Sequence, residues 1–157
     1  MIRACMLVVF AIASANATTV IKASLDDLID KSTSIVRAKI TGSYTSASGP
    51  AINTYYKIQV EEVMKGSAAA QVDVRVPGGS FHGVQQNFAG APQLATGAEY
   101  VLFLWKGPSG TTHLLGLSQG VLDVTKDTTG NLMVVRQPID GLDSVRMKLS
   151  DLATKIK

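Results

Sequence analysis

Between positions 35 and 135 the chain repeatedly alternates apolar and polar side chains with a period of two. Successive side chains of a strand point to opposite faces, so this pattern demands half-buried sheet and excludes a helical bundle over that span. Val36, Ala38 and Ile40 alternate with Arg37, Lys39 and Thr41. Tyr56, Ile58 and Val60 alternate with Lys57, Gln59 and Glu61, and Val72, Val74 and Val76 with Asp73 and Arg75. At Glu61 and Glu62 the alternation slips by one residue, which predicts a bulge or a strand end. Residues 100–105 (YVLFLW) are apolar throughout, the pattern of a strand covered on both faces. Three further short strands are expected at 114–117, 121–124 and 132–135, between turns rich in Gly, Ser and Asn. Residues 44–50 (YTSASGP) read as an exposed hairpin loop.

The ends change period. Ser24 followed by Asp27 is a capping-box start, and Leu25, Leu28 and Ile29 recur at helical spacing, so 24–31 reads as a short helix. Val145, Leu149, Leu152 and Ile156 form one helical stripe, which predicts a helix over 142–156 with Asp140 or Asp143 at its start. About seven short strands with a helix near each end suggest a mostly β domain, either a sandwich or a small closed barrel. The two-faced run at 100–105 favours a barrel or a tightly curled sheet around one shared interior. No linker or repeat divides 18–157, so a single domain is expected.

The first seventeen residues resemble a secretory leader. Arg3 precedes an apolar run, and Ala15 and Ala17 supply an A-x-A cleavage site. The run is too short to span a bilayer core of about 30 Å. Cleavage after Ala17 removes Cys5, the single cysteine, and leaves no membrane anchor, so the expected destination is the periplasm or the medium. The net charge is +3, with Lys and Arg scattered rather than clustered. A nucleic-acid partner wants a basic stripe and is therefore not expected.

The stretch 35–66 contains IVRAKITG and, after a variable turn, TYYKIQVEEVMKG; 97–104 reads GAEYVLFL. These segments resemble the netrin-like, or tissue-inhibitor-of-metalloproteinases-like, OB-fold. VPGG, GxxYVLFL and QGVL also resemble segments of a loose group of uncharacterised bacterial exported proteins. The resemblance implies an OB-like closed or partly open antiparallel barrel of about six or seven strands. It does not carry over the inhibitory mechanism, which uses a mature N-terminal cysteine. Here the expected mature start is Thr18.

Residues 77–97 hold five glycines and two prolines, a connection of the length that often carries function. Gly78 and Gly79 there suit a turn with positive φ. Ser80 and His82 would share a side of an extended backbone, which makes a hydrolase built on them one reading. The segment departs from the G-x-S-x-G nucleophile elbow, and no orienting acid is identifiable. His82 and His113, the only histidines, are too few for a zinc site, and no cofactor or metal is expected. Glu61 and Glu62 point to opposite faces of a strand and do not pair as acid and base. Phe81 and Phe88 either fold back as a plug over a barrel mouth or stand out as anchors for a partner. Tyr55 falls on the outer face if Tyr56 is inner, and Trp105 is expected in the core or at its edge. The candidate binding residues are thus Ser80, Phe81, His82, Phe88 and Tyr55. The sequence points to a non-enzymatic binding module for a protein or an extracellular polymer. A loop-based proteinase inhibitor or proteinase-associated accessory domain is the alternative.

Overall fold

The computed structural model describes residues 21–139 and 141–157. The expected leader over 1–17, the start at Thr18 and the candidate cap Asp140 lie outside the described residues. Helix α1 (Leu25–Lys31) is followed by strands β1 (Ser34–Ser48), β2 (Ala51–Lys65), β3 (Gln71–Pro77), β4 (Gly79–Phe81) and β5 (Val84–Gln86). Then come β6 (Glu99–Lys106), β7 (Thr112–Leu114), a 3₁₀ turn (Leu117–Gly120), β8 (Val121–Lys126), β9 (Leu132–Arg136), β10 (Val145–Lys148) and α2 (Leu149–Ile156).

The protein is mostly β. Eight strands form one sheet in the order β1-β2-β3-β7-β6-β8-β9-β10, and an extra β1–β6 pairing closes β1, β2, β3, β7 and β6 into a ring. β4 and β5 make a separate two-stranded sheet. The barrel is not wholly antiparallel as expected, because β3 and β7 pair in parallel. The strands beyond the expected seven are β4, β5 and β10, each too short to show a period.

Strand β6 explains the apolar run. Tyr100, Leu102 and Leu104 point into the ring, where they meet Val36, Ala38, Ile40, Ile58, Val74 and Leu114. Val101 and Phe103 point the other way, into a cluster with Leu28, Ile35, Leu122, Val134, Leu149 and Leu152. The single shared interior expected from the sequence is therefore two apolar clusters separated by the β1–β6 wall. One edge of β6 pairs with β1 along 99–104. The other edge divides: Leu104–Lys106 pair with β7, and Tyr100–Leu102 pair with β8.

Other differences follow from pairing. Residues 44–48 are not loop but the far end of β1, paired with β2 down to Ser48 and Ala51. The 114–117 strand sits earlier, at β7, because Val74 and Arg75 of β3 draw Thr112 and His113 into register. The C-terminal helix begins at Leu149, not 142. Val145–Lys148 pair instead with the open edge of β9, and Val145 reaches the same cluster as Leu149 from the strand. The slip at Glu61 is a register shift between Arg37/Glu62 and Ala38/Val60. There Arg37 bridges Glu62 at 3.2 Å and Glu99 at 2.5 Å, joining β1 to both ring neighbours. The capping box of α1 forms through Ser24 and Asp27, and Lys65 donates to the carbonyls of Ile29 and Asp30 at the other helix end.

Phe103 is fully buried in the cluster that attaches the outer strands and helices to the ring. Phe103→Ala is expected to cost about 3–5 kcal/mol in urea unfolding, and a loss under about 1 kcal/mol would contradict this packing. In the β8–β9 loop, hydrogen bonds from Thr129 and Asn131 hold the Asp127 carboxyl at about 2, below its ordinary 3.8. Because the folded value is the lower one, this loop's stabilisation is complete above 3.8 and is lost as pH falls toward 2. An NMR titration of the Asp127 carboxyl carbon checks it, and a midpoint at the ordinary value would refute the loop geometry.

Candidate functional site

β1 leaves its β6 partner after Lys39, but β1 and β2 stay paired as far as Ser48 and Ala51. The result is a ribbon with one free edge, that of β1, while β2 keeps β3 on its other edge from Gln59 to Asn53. At Pro77 the chain turns sharply through Gly78 (φ +95°) and Gly79 (φ +132°) and lays the β4–β5 hairpin against this ribbon. A Cβ on Gly79 would stand 2.6 Å from Thr54 Oγ1 and 2.9 Å from Thr45 Cγ2, so the approach requires glycine. Side chains then tie the hairpin down. Thr54 Oγ1 donates to the Gly78 carbonyl at 2.9 Å and Thr45 Oγ1 to the Ser80 carbonyl at 2.7 Å. Gln86 accepts from the Ile52 amide at 2.8 Å and donates to the Pro50 carbonyl at 2.9 Å. His82 (φ +48°) and Gly83 (φ +78°) make the two-residue turn, both left-handed as a type I′ hairpin needs.

The loop after β5 forms the facing wall. The Tyr56 hydroxyl, on the inner side of β2, donates to the Pro92 carbonyl at 3.4 Å and accepts from the Leu94 amide at 3.3 Å. The Ser118 amide and hydroxyl both donate to the Gly90 carbonyl, at 3.0 and 2.5 Å. Between hairpin, ribbon and loop lies a cleft of about 570 Å³. Ser80, Gln85, Asn87, Gln93 and Tyr56 line it with hydroxyls and amides, and Phe88 gives it an apolar lip. None of its lining residues is Asp, Glu, Lys, Arg or His.

Of the sequence candidates, Ser80 and Phe88 line this cleft. Phe88 is 47% exposed, so it stands at the mouth rather than plugging it. Phe81 and His82 sit at the hairpin tip, ring edge to ring face with centroids 4.2 Å apart. The extended backbone that would put Ser80 and His82 on one side holds only to Phe81, because His82 is in the turn. Tyr55 lies away from the cleft, on the outer face of β2, stacked on Tyr44 at 5.0 Å and 7°. Of the two places expected for Trp105, the core or its edge, the structure shows the edge. Trp105 is 41% exposed at the end of β6, where the outer layer has already stopped, with its ring 5.5 Å from that of His113. Sequence reasoning missed Gln85, Asn87 and Gln93. The amide run before Phe88 (QQNF) was the available signal, since consecutive amides beside an aromatic offer both hydrogen bonds and an anchor.

Among the described residues no group of three or more His, Cys, Asp or Glu could hold a metal ion, and no helix is long and apolar enough to cross a membrane. The chain matches no family model, no curated protein and no solved structure.

The Tyr56 hydroxyl is the hinge pin of the facing wall. Tyr56→Phe is expected to leave the ring folded, cost about 1 kcal/mol locally and speed amide exchange at Leu94 about fivefold. Unchanged exchange at Leu94 would show that the wall is held by other contacts.

Proposed function

We propose that the chain is an exported, non-enzymatic binding module on a single OB-like barrel domain, and that the cleft between β4–β5 and residues 88–94 holds a segment of a protein or of an extracellular polymer. The observation that carries this reading is the lining: amides, hydroxyls and one exposed phenylalanine, with no charged side chain. Such a surface has donors and acceptors for peptide groups or sugar hydroxyls, and a hydrophobic lip to anchor them. It offers no repulsion to reject, and no ion pair to select, a charged ligand.

The OB-like part of the reading draws on the ring. Five strands close on themselves, with β1 paired to both β2 and β6, which suits a five-stranded Greek-key barrel. The segments that resemble the netrin-like proteins fall on β1, β2 and β6, three of the five ring strands. Fold likeness supplies no partner, so the ligand class rests on the cleft alone.

The test is a screen of the purified protein on peptide and neutral-glycan arrays, repeated with Phe88→Ala and with Asn87→Ala. The expected result is a ligand class whose binding each variant weakens about tenfold at unchanged melting temperature. Hits that both variants bind as well as wild type would place the ligand elsewhere and end the proposal.

A further inference from the structure

Outside the ring, strand register brings together residues that are far apart in the chain. Tyr44 of β1 faces Tyr55 of β2, Tyr55 faces Arg75 of β3, Arg75 faces His113 of β7, and His113 faces Trp105 of β6. Their inward-pointing neighbours Tyr56, Val74, Val76, Leu104 and Leu114 fill the ring, so these five share the outer surface. With strands about 4.8 Å apart, the line runs about 19 Å and curves with the barrel.

We propose that this line is a second binding surface, and that its ligand is a linear acidic polysaccharide. The aromatic groups supply the sugar-facing part. Tyr44 and Tyr55 lie parallel, 5.0 Å apart, and Tyr44 and Trp105 are 42% and 41% exposed. The C–H faces of pyranose rings pack on such aromatic surfaces, and successive sugars recur at a spacing of the same order as successive strands. The cations supply the charge-facing part. Lys57 Nζ stands 5.6 Å over the Tyr44 ring. Arg75, in the middle, has no ion-pair partner among the described residues. The one carboxylate on this face of β3, Asp73, is engaged by the Tyr44 hydroxyl at 2.9 Å. Burial, and then Arg75, hold His113 below its ordinary value, so at neutral pH it joins the line as an uncharged ring beside Trp105.

The geometry selects among anionic polymers. The line bends around a barrel and carries few cations, which suits a flexible strand of spaced charges and not a duplex. This surface is separate from the cleft, shares no lining residue with it, and stands or falls independently of it.

Trp105 is the single tryptophan, so its fluorescence reports occupancy of the line directly. The full-length mature protein is titrated with a linear oligouronate, a neutral oligosaccharide of the same length, and oligo-dT. A saturable change with the oligouronate is expected, weakening as salt is raised, with little response to the neutral sugar or oligo-dT. Arg75→Gln and Tyr55→Ala are each expected to weaken it about tenfold, whereas Lys126→Gln, the same charge change on the β8–β9 hairpin, leaves it unchanged. Calorimetry with Trp105→Ala checks the same loss without the optical signal. No saturable change with the oligouronate, equal response to the neutral sugar, tighter binding of oligo-dT, or an equal loss in Lys126→Gln would each overturn the proposal. Should Tyr55→Ala fail to fold, the Arg75→Gln and Lys126→Gln pair decides alone.

Discussion

The structure depends on one strand that is paired on both edges and buried on both faces. β6 gives one edge to β1 and splits the other between β7 and β8. Each of these pairings satisfies backbone groups that would otherwise be buried unbonded, so the strand cannot shift by one residue without breaking ladders on three sides. A one-residue shift would also exchange Leu102 and Leu104 for Val101 and Phe103, and so swap the contents of the two clusters. The split edge is what lets one sheet serve two purposes. At its C-terminal end β6 closes the ring through β7, and nearer its start it hands the sheet to β8, β9 and β10, which carry the helices. No cysteine is present after Cys5 to share this task, so register and packing carry it.

The ring, once closed, decides where a ligand can be held. A barrel of five strands fills with its own side chains and has no room inside. Binding capacity must therefore come from what the strands do beyond the ring or outside it. β1 continues past its last pairing with β6, still held by β2, and the β4–β5 hairpin folds back onto this pair through Gly78 and Gly79. The cleft is thus made by excess strand length together with two glycines that permit the reversal. The outer line is made by the opposite circumstance: where helices and β8–β10 do not cover the ring, its outward side chains stay accessible.

Much of this was legible in the residues, and the part that was not has a common cause. The alternation in β1, β2 and β3, the doubly covered β6, the capping box at Ser24 and the bulge near Glu61 are all local signals, written within a few residues of where they act. The failures are long-range. Residues 44–48 have turn-like composition yet extend as strand, because a paired β2 lies alongside them. Val145–Lys148 fit a helical stripe but are taken by the free edge of β9. β7 is three residues long and exists because β3 and β6 flank it. Trp105 closes an apolar run, which leaves open whether it sits in the core or at its edge; its depth is set by where the outer layer ends. In the candidate site, Ser80 and Phe88 were visible through their glycine-rich context. Gln85 and Asn87 showed only as an amide run before Phe88, and Gln93 not at all, because a polar residue shows its direction only once the facing wall is known.

The same limit explains why the two proposed surfaces differ in character. The cleft is built mostly from one stretch, 76–94, so its neutrality can be read from composition: that stretch has His82 as its single titratable side chain, and the turn carries it away from the lining. The outer line draws one residue from each of five strands, and its members span positions 44 to 113 of the chain. Its charge and aromaticity are properties of the register. A shift of one residue in β3 alone would replace Arg75 by an apolar valine and point that valine outward, which the buried ring excludes. The packing that keeps Val74 and Val76 inside is therefore also what holds Arg75 between Tyr55 and His113, so the core that stabilises the barrel fixes the chemistry of its surface.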